Sequence, residues 1–313
     1  MESEHIDISI VVPLYNEEAS INLLHKAIDD VMSGFGCNYE IIFVDDGSKD
    51  RTVELGKELV SQHPELRLIE FRKNYGQTPA MAAGIDHARG EILVTMDGDL
   101  QNDPVDIPMM VEKLREGYDI VVGWRHNRQD TLVKRKIPSM IANKLISWVT
   151  KVPIKDNGCS LKVYRADVMK KTPFYSEMHR FIPALLSLGG AKVAEVKVNH
   201  HARQFGESKY GLSRVYKVLL DLIMIKTILS LASHPVGWFS TLAIGPFLIA
   251  SLCLFPLFKL AFAGEPIVIV SSLLLLFFSL GTFLVSLGML SELIYQKGRI
   301  KINRLALLTA ELK

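Results

Sequence analysis

The chain has 313 residues, 49% of them apolar and 22% charged, with a formal net charge of +2. This balance excludes an intrinsically disordered chain, and so small a net charge gives no reason to expect a nucleic-acid partner. Three scattered cysteines, Cys37, Cys159 and Cys253, show no CxxC or Cys/His ligand spacing, which argues against a zinc site or a disulfide framework and fits a reducing, cytosolic setting.

The first elements read as alternating strands and helices. Residues 1–7 are polar, so no secretory leader is expected. Strands are expected at IDISIVV (6–12), EIIFVDD (40–46), LRLIEF (66–71), EILVTMD (91–97) and YDIVVGW (118–124). These runs are rich in β-branched residues and nearly continuous in apolar character, as strands buried on both faces are. Helices are expected between them, at EASINLLHKAIDDVM (18–32) and at TPAMAAGIDHA (78–88), the second with Thr78 as N-cap and Pro79 at N1. The alternation predicts an α/β fold with a mostly parallel sheet, whose ligands bind beyond the carboxyl ends of the strands.

The polar clusters VPLYNEE (12–18), VDDGSKD (44–50) and MDGDLQ (96–101) all stand at such ends, so they converge on one rim. The last belongs to TMDGDLQND, where Asp97, Asp99 and Asp103 crowd together after an apolar strand. Like charges there are costly unless a cation neutralises them. Asp97 and Asp99, separated by Gly98, can share one Mg²⁺ or Mn²⁺ with phosphate oxygens. No GxGxxG follows the first strand and no GxxxxGK[ST] occurs, which disfavours a dinucleotide-binding enzyme and a P-loop enzyme. Farther on, Arg135, Ser139 and Asn143 recur every four residues and share a helix face, while Arg203 and Lys209 flank Gly206-Glu207-Ser208.

The C-terminal third differs in kind. Residues 211–232 carry a helical apolar stripe with Arg214, Lys217, Asp221 and Lys226 off it, which predicts an amphipathic helix lying in the headgroup layer or packed on the domain or a partner protomer. Residues 237–258 and 267–290 are uncharged and long enough to span a bilayer, with KLAFAGEP (259–266) as the hairpin between them. Basic residues precede the first span and follow the second, so both termini are expected in the cytoplasm. Neither span holds an ionisable residue, so the pair reads as an anchor and the chemistry is expected in residues 1–210. The expected organisation is therefore a catalytic domain at 1–210, a juxtamembrane helix at 211–233, a two-helix hairpin at 234–292 and a basic tail at 293–313.

The segments VVPLYNEE, EIIFVDDGSKDRT, FRKNYGQTPAMAAGIDHARGE, TMDGDLQNDP, VVGWR, KRKIPSMIAN, DNGCSLKVYR and RQFGESKYG occur in this order across roughly residues 8–215. In these the chain resembles glycosyltransferase family 2, with its nucleotide-sugar-binding GT-A fold, and within it the polyprenyl-phosphate glycosyltransferases. The resemblance implies a metal held by Asp97, Asp99 and Gln101. It also implies a nucleotide pocket lined by Pro13, Tyr15 and Glu17, with Asp45 or Asp46 accepting a base N–H. Arg125, Arg135, Ser139 and Arg203 are assigned by it to phosphate, largely on the acceptor side, where Lys209 would join them; guanidinium forks match phosphate oxygens. Asp156, in DNGC, is implied either to position acceptor or sugar or to remove a proton. A lipid monophosphate is already ionised near neutrality, so a base is hardly required.

The activity implied is inverting, metal-dependent transfer of a hexose to polyprenyl phosphate at the cytoplasmic membrane. UDP-glucose is the preferred donor, with UDP-aminoarabinose, UDP-galactose or GDP-mannose as alternatives. A processive synthase is disfavoured because no QxxRW occurs. A non-catalytic sugar-nucleotide-binding scaffold is the alternative of another class, and the sequence leaves the oligomeric state open.

Overall fold

The computed structural model describes residues 5–126, 154–170, 182–188, 190–202 and 234–297. Arg135, Ser139, Asn143, Arg203, Lys209 and the expected amphipathic helix at 211–232 lie outside the described residues.

Elements follow in the order β1 (Ile8–Leu14), α1 (Ile21–Met32), β2 (Tyr39–Asp45), α2 (Thr52–Gln62), β3 (Leu66–Glu70), α3 (Gln77–His87) and β4 (Ile92–Thr95). A short 3₁₀ turn at Pro104–Asp106 leads into α4 (Ile107–Arg115), then β5 (Ile120–Trp124), β6 (Lys162–Arg165), α5 (Ala166–Met169), α6 (Ile182–Leu188) and β7 (Val193–Lys197). The strands form one seven-stranded sheet in the order β3-β2-β1-β4-β6-β5-β7. All neighbours pair parallel except β6, which runs antiparallel to both β4 and β5. The first strand thus has β2 on one side and β4 on the other, so the chain reverses its direction of winding at the β1–β4 boundary. Such a switch point opens a crevice at the carboxyl ends of the strands.

The near-continuous apolar strands are buried on both faces. On one face Ile8, Ile10, Val12, Ile41 and Phe43 pack with Leu24 and Ile28 of α1 and with Met110 and Val111 of α4. On the other, Val11, Ile42, Val44 and Leu93 pack with Ala80, Met81 and Ile85 of α3. Thr78 is not the N-cap of α3. That position falls to Gly76 at φ 100°, a conformation open to glycine and strained for a threonine, and Thr78 is buried inside the first turn. The first helix starts at Ile21, later than the sequence pattern suggests, because residues 17–20 are used in loop hydrogen bonds.

One charge lies deep in the second face. Glu40 on β2 is 1% exposed, and its carboxylate accepts hydrogen bonds from Ser9 Oγ (2.7 Å), Arg67 Nη1 (2.9 Å), Arg89 Nε (3.0 Å) and the Arg89 backbone N–H (2.7 Å). Burial works against its ionisation, but these donors outweigh burial and hold the pKa below the ordinary glutamate value. The group therefore contributes stability fully above its unfolded-state pKa of about 4.3, and that contribution is lost as pH falls through the depressed folded value. Glu40→Gln is expected to cost about 2–3 kcal/mol at pH 7, the two arginines being exposed enough to rehydrate. Denaturant melts at pH 7 and pH 3 check this, the difference between variant and parent shrinking at the lower pH.

The chain divides into two units, Met1–Leu222 with Asn303–Lys313, and Ile223–Ile302. The second contains α7 (Pro235–Ala263) and α8 (Val268–Lys297), packed on each other with Phe247 and Phe278 edge to face at 5.7 Å. Both are long and apolar enough to cross a membrane, and large side chains such as Phe255, Phe262 and Ile269 are outward-facing. The hairpin connection is shorter than KLAFAGEP: α7 continues through Ala263 and ends on left-handed Gly264, leaving only residues 264–267 between the helices.

Candidate active site

Three loops leave the carboxyl ends of β1, β2 and β4, and the first two are fastened to each other. Asn16 N–H donates to Ser48 Oγ (2.9 Å), Lys49 N–H to Asn16 Oδ1 (2.8 Å) and Glu17 N–H to Thr52 Oγ1 (2.8 Å). Asn16 holds a left-handed φ of 55° to make this turn. Pro13 lies on β1 opposite Val44, and Tyr15 follows the strand half-buried. Glu17 accepts from Ser20 Oγ at 2.7 Å, so its carboxylate serves the approach to α1.

The neighbouring acids Asp45 and Asp46 have different environments. Both oxygens of Asp46 accept backbone N–H groups, from Tyr75 (2.7 Å) and Gly76 (2.9 Å), which pins the 71–76 loop to the end of β2. Burial, set against those two hydrogen bonds and aided by the charge of Asp45, raises the Asp46 pKa. Asp45 is fully buried; its Oδ2 accepts from Ser48 N–H (2.9 Å), but its Oδ1 has no hydrogen-bond partner among the described residues. A buried acceptor left without a donor costs about 1–3 kcal/mol, and a ligand N–H recovers it. Gly47 between these loops is required twice over: φ is 69°, and a β-carbon would stand 2.4 Å from the Lys73 carbonyl carbon. Asp45→Asn retains an acceptor for Ser48 while presenting an NH₂ where the free oxygen was. Where Asp45 receives a base N–H, as the resemblance implies, titration calorimetry is expected to show nucleotide affinity reduced by about 10–100-fold, with the melting midpoint little changed.

The DGD loop follows β4. Gly98 is needed for close packing: a β-carbon there would stand 2.6 Å from Leu14 Cδ2, so the turn presses against the end of β1. Leu100 is held at φ 60°, an outlier for a bulky residue and a mark of stored strain. The three carboxylates of this segment separate by role. Asp103 caps the 3₁₀ turn by accepting from Val105 N–H and faces His201 Nε2 at 2.9 Å. Asp97 accepts from Gln77 Nε2 (2.6 Å), and Asp99, 9% exposed, accepts from the Gln101 N–H (3.2 Å). Gln101 donates its Nε2 to the His201 carbonyl (3.4 Å), and no hydrogen bond among the described residues uses its Oε1. Two carboxylates and an amide oxygen are hard oxygen donors suited to Mg²⁺ or Mn²⁺.

The next wall comes from residues far along the chain. The segment before β6 runs beside the DGD loop, with Asn102 Nδ2 donating to Ser160 Oγ (2.7 Å) and Thr95 Oγ1 to the Ser160 carbonyl (3.1 Å). Here Arg125, the residue after β5, forks onto Asp156: Nε to Oδ2 at 2.7 Å and Nη2 to Oδ1 at 2.9 Å. Burial opposes the Arg125 charge, but Asp156 outweighs it, and Asp97 adds to the field; the guanidinium pKa is pushed above its ordinary value. Nη1 makes no hydrogen bond among the described residues. The structure therefore brings together Pro13, Tyr15, Asp45, Asp97, Asp99, Gln101, Arg125 and Asp156 at one end of the sheet. Gln77 and Ser160 lie within the segments that carry the resemblance but are not singled out there, and His201 lies in none of them; each is placed by a contact between distant segments.

Residues 9–172 match the family described as Glycosyl transferase family 2. The chain is 45% identical over 255 residues, 80% of its own length and 75% of the relative's, to the dodecaprenyl-phosphate galacturonate synthase of Rhizobium johnstonii. It is 36% identical, over 94% of its length and 89% of the relative's, to the undecaprenyl-phosphate 4-deoxy-4-formamido-L-arabinose transferase of Edwardsiella ictaluri. Among solved structures, glucosyl-3-phosphoglycerate synthase from Mycobacterium tuberculosis, in complex with Mn²⁺, UDP and phosphoglyceric acid, superposes with a TM-score of 0.54 at 20% identity. That match covers 69% of this chain and 78% of the other, and it shows a shared fold.

Proposed function

The chain belongs to glycosyl transferase family 2, and we propose that it transfers a sugar from a nucleoside diphosphate donor to the phosphate of a polyprenyl lipid at the cytoplasmic face of a membrane. One observation carries the reading: the DGD carboxylates stand on the same rim as the buried Oδ1 of Asp45, which has no hydrogen-bond partner among the described residues, on either side of the end of β1. The relatives named for polyprenyl-phosphate products support the acceptor.

In this reading Asp45 receives an N–H of the base, and Pro13 and Tyr15 line its pocket. Asp97, Asp99 and Gln101 would hold the divalent cation, which stabilises charge on the departing diphosphate. An oxygen of the lipid phosphate forms the new bond to C1 while the bond from C1 to the β-phosphate oxygen breaks, inverting the anomeric centre. The phosphate is already ionised, so no proton has to be removed. Arg125, fixed by Asp156, offers Nη1 to a phosphate oxygen, and Asp156 is a positioning residue. Arg135, Ser139, Arg203 and Lys209 complete the phosphate-binding set on the strength of their motifs. Helices α7 and α8 anchor the enzyme, with both termini on the cytoplasmic side.

The donor sugar is resolved by assay. UDP-glucose is the donor preferred from the sequence, and the 45% relative named for galacturonate makes UDP-galacturonate its direct competitor. Purified enzyme is incubated with a short polyprenyl phosphate and each of these donors, beside UDP-aminoarabinose and GDP-mannose. A lipid-linked product from one of them is the expected result. Nucleotide binding without lipid product from any donor would instead favour a sugar-nucleotide-binding scaffold.

A further inference from the structure

At the opposite end of the sheet, where β3 begins, three potential ligand atoms converge from two helices and a turn. His25 lies in the buried stripe of α1, His63 ends α2, and Glu65 immediately precedes β3. His25 Nε2 is 3.3 Å from Glu65 Oε1, and His63 Nδ1 is 3.2 Å from the same oxygen. All three atoms lie within 4.8 Å of one another. No role in the proposed transfer falls to them.

Proximity alone suggests a carboxylate bridging two imidazoles by hydrogen bonds, but the geometry does not support that. His25 is 3% exposed, and neither its Nε2 nor the buried Glu65 Oε1 makes a hydrogen bond of regular geometry among the described residues, the two facing each other only as a close ion pair. Two buried polar atoms facing each other unsatisfied are costly, and native structures rarely keep such pairs without a reason. The distances have a simple interpretation. Ligands about 2.0–2.1 Å from a tetrahedral Zn²⁺ stand about 3.3–3.4 Å apart along each edge. Two of the three separations here match that edge.

The surroundings are built for rigidity. His63 and Glu65 flank Pro64, whose ring stiffens the turn. Leu66 N–H donates to the His63 carbonyl at 3.0 Å, and Ile41 N–H donates to the Glu65 carbonyl at 2.9 Å, so β2 fixes the turn from below. The His25 ring meets Phe43 edge-on at 6.5 Å, which limits its rotation. Asp29, one turn along α1, adds negative charge to the surroundings of His25. The His63 side chain is 34% exposed and that of Glu65 20%, so one side is open to solvent for a metal to enter and for water to take a fourth position.

We propose that His25, His63 and Glu65 form a binding site for a divalent transition metal of the Zn²⁺ class, tying α1 to the turn between α2 and β3. Two imidazoles with one carboxylate suit Zn²⁺, Co²⁺ or Ni²⁺ and are unlike the all-oxygen donors of the DGD loop, which suit Mg²⁺ or Mn²⁺. The two sites therefore differ both in place and in metal preference.

The difference supplies the test. Tag-free, full-length protein is stripped with chelator in detergent and titrated with Co²⁺, whose four-coordinate complexes absorb far more strongly in the visible than octahedral oxygen-bound ones. About one equivalent of strongly absorbing Co²⁺ is expected, displaced by Zn²⁺. The band is expected to persist in Asp99→Ala and to vanish in His25→Gln and in His63→Gln. Zn²⁺ at a hundredfold excess over Kd should raise the melting temperature of the parent by about 5 °C and leave that of His63→Gln unmoved. Because His63 is partly exposed, this variant is expected to fold, and its melt without metal shows that it has. The proposal is overturned if the native chain gives no such band, if the band survives in His63→Gln, or if it is lost in Asp99→Ala.

Discussion

Asp99→Ala is expected to abolish transfer, with kcat reduced by at least about 10³-fold. Asp99 is almost fully buried at the end of an apolar strand, beside a second carboxylate and a leucine held in left-handed backbone. A fold keeps such an arrangement only when something is gained from it, and the gain proposed here is charge stabilisation of the leaving diphosphate. The Asp99 side chain also accepts the Gln101 N–H, so alanine removes a loop contact as well. Asp99→Asn keeps an acceptor for that contact and removes the charge; it should lose nearly as much activity while melting like the parent. In the unmodified enzyme EDTA should silence transfer, and Mg²⁺ or Mn²⁺ alone should restore it. Full activity in chelator would remove the DGD pair from the chemistry.

The second large effect is expected at Arg125. Arg125→Lys keeps a positive charge but loses the planar fork that grips Asp156 and the Nη1 donors proposed for phosphate. Turnover should fall by about 10²-fold, with the affinity for nucleotide changed less than threefold, since Asp45 and the β1 loop are untouched. Asp156→Asn separates the two possible roles of the carboxylate. As a positioning residue it should lower kcat by about tenfold and leave the shape of the pH–rate profile unchanged. Loss of the acidic limb of that profile in Asp156→Asn would instead identify a general base.

The parts of the fold readable from sequence are those written in local periodicity. Five strands announce themselves as continuous apolar runs, and the DGD acids stand out because nothing apolar explains them. Their position at strand ends then follows from α/β architecture alone. What sequence could not supply is sideways order. The four-residue strand Lys162–Arg165 is inserted between β4 and β5, running the other way, and that place depends on pairing with residues about 40–70 positions distant. The same holds for His201, which reaches Asp103 across 98 positions. Val193–Lys197 carries a charged residue mid-strand and extends the edge of the sheet, so its apolar signal is weak. The distinction between Asp45 and Asp46 was equally hidden. Adjacent residues on a strand point to opposite sides, and only the fold reveals that the 71–76 loop occupies one of them.

The reversed direction of β6 has an evolutionary reading. In a parallel sheet, a connection normally leaves one rim and must return to the other, so its length and path are constrained by the layer it crosses. The connection from Arg125 to the start of β6 departs from the site's rim and comes back to the same rim. Its two described ends, His126 and Ile154, both stand at that rim, so a change of length between them leaves the pairing of β5 with β6 untouched. On the proposed function, selection can alter this stretch, which includes Arg135 and Ser139, while the half proposed to read the nucleotide stays fixed. Exchanging residues 127–153 between relatives that use different lipids is a direct way to move acceptor preference from one enzyme to another.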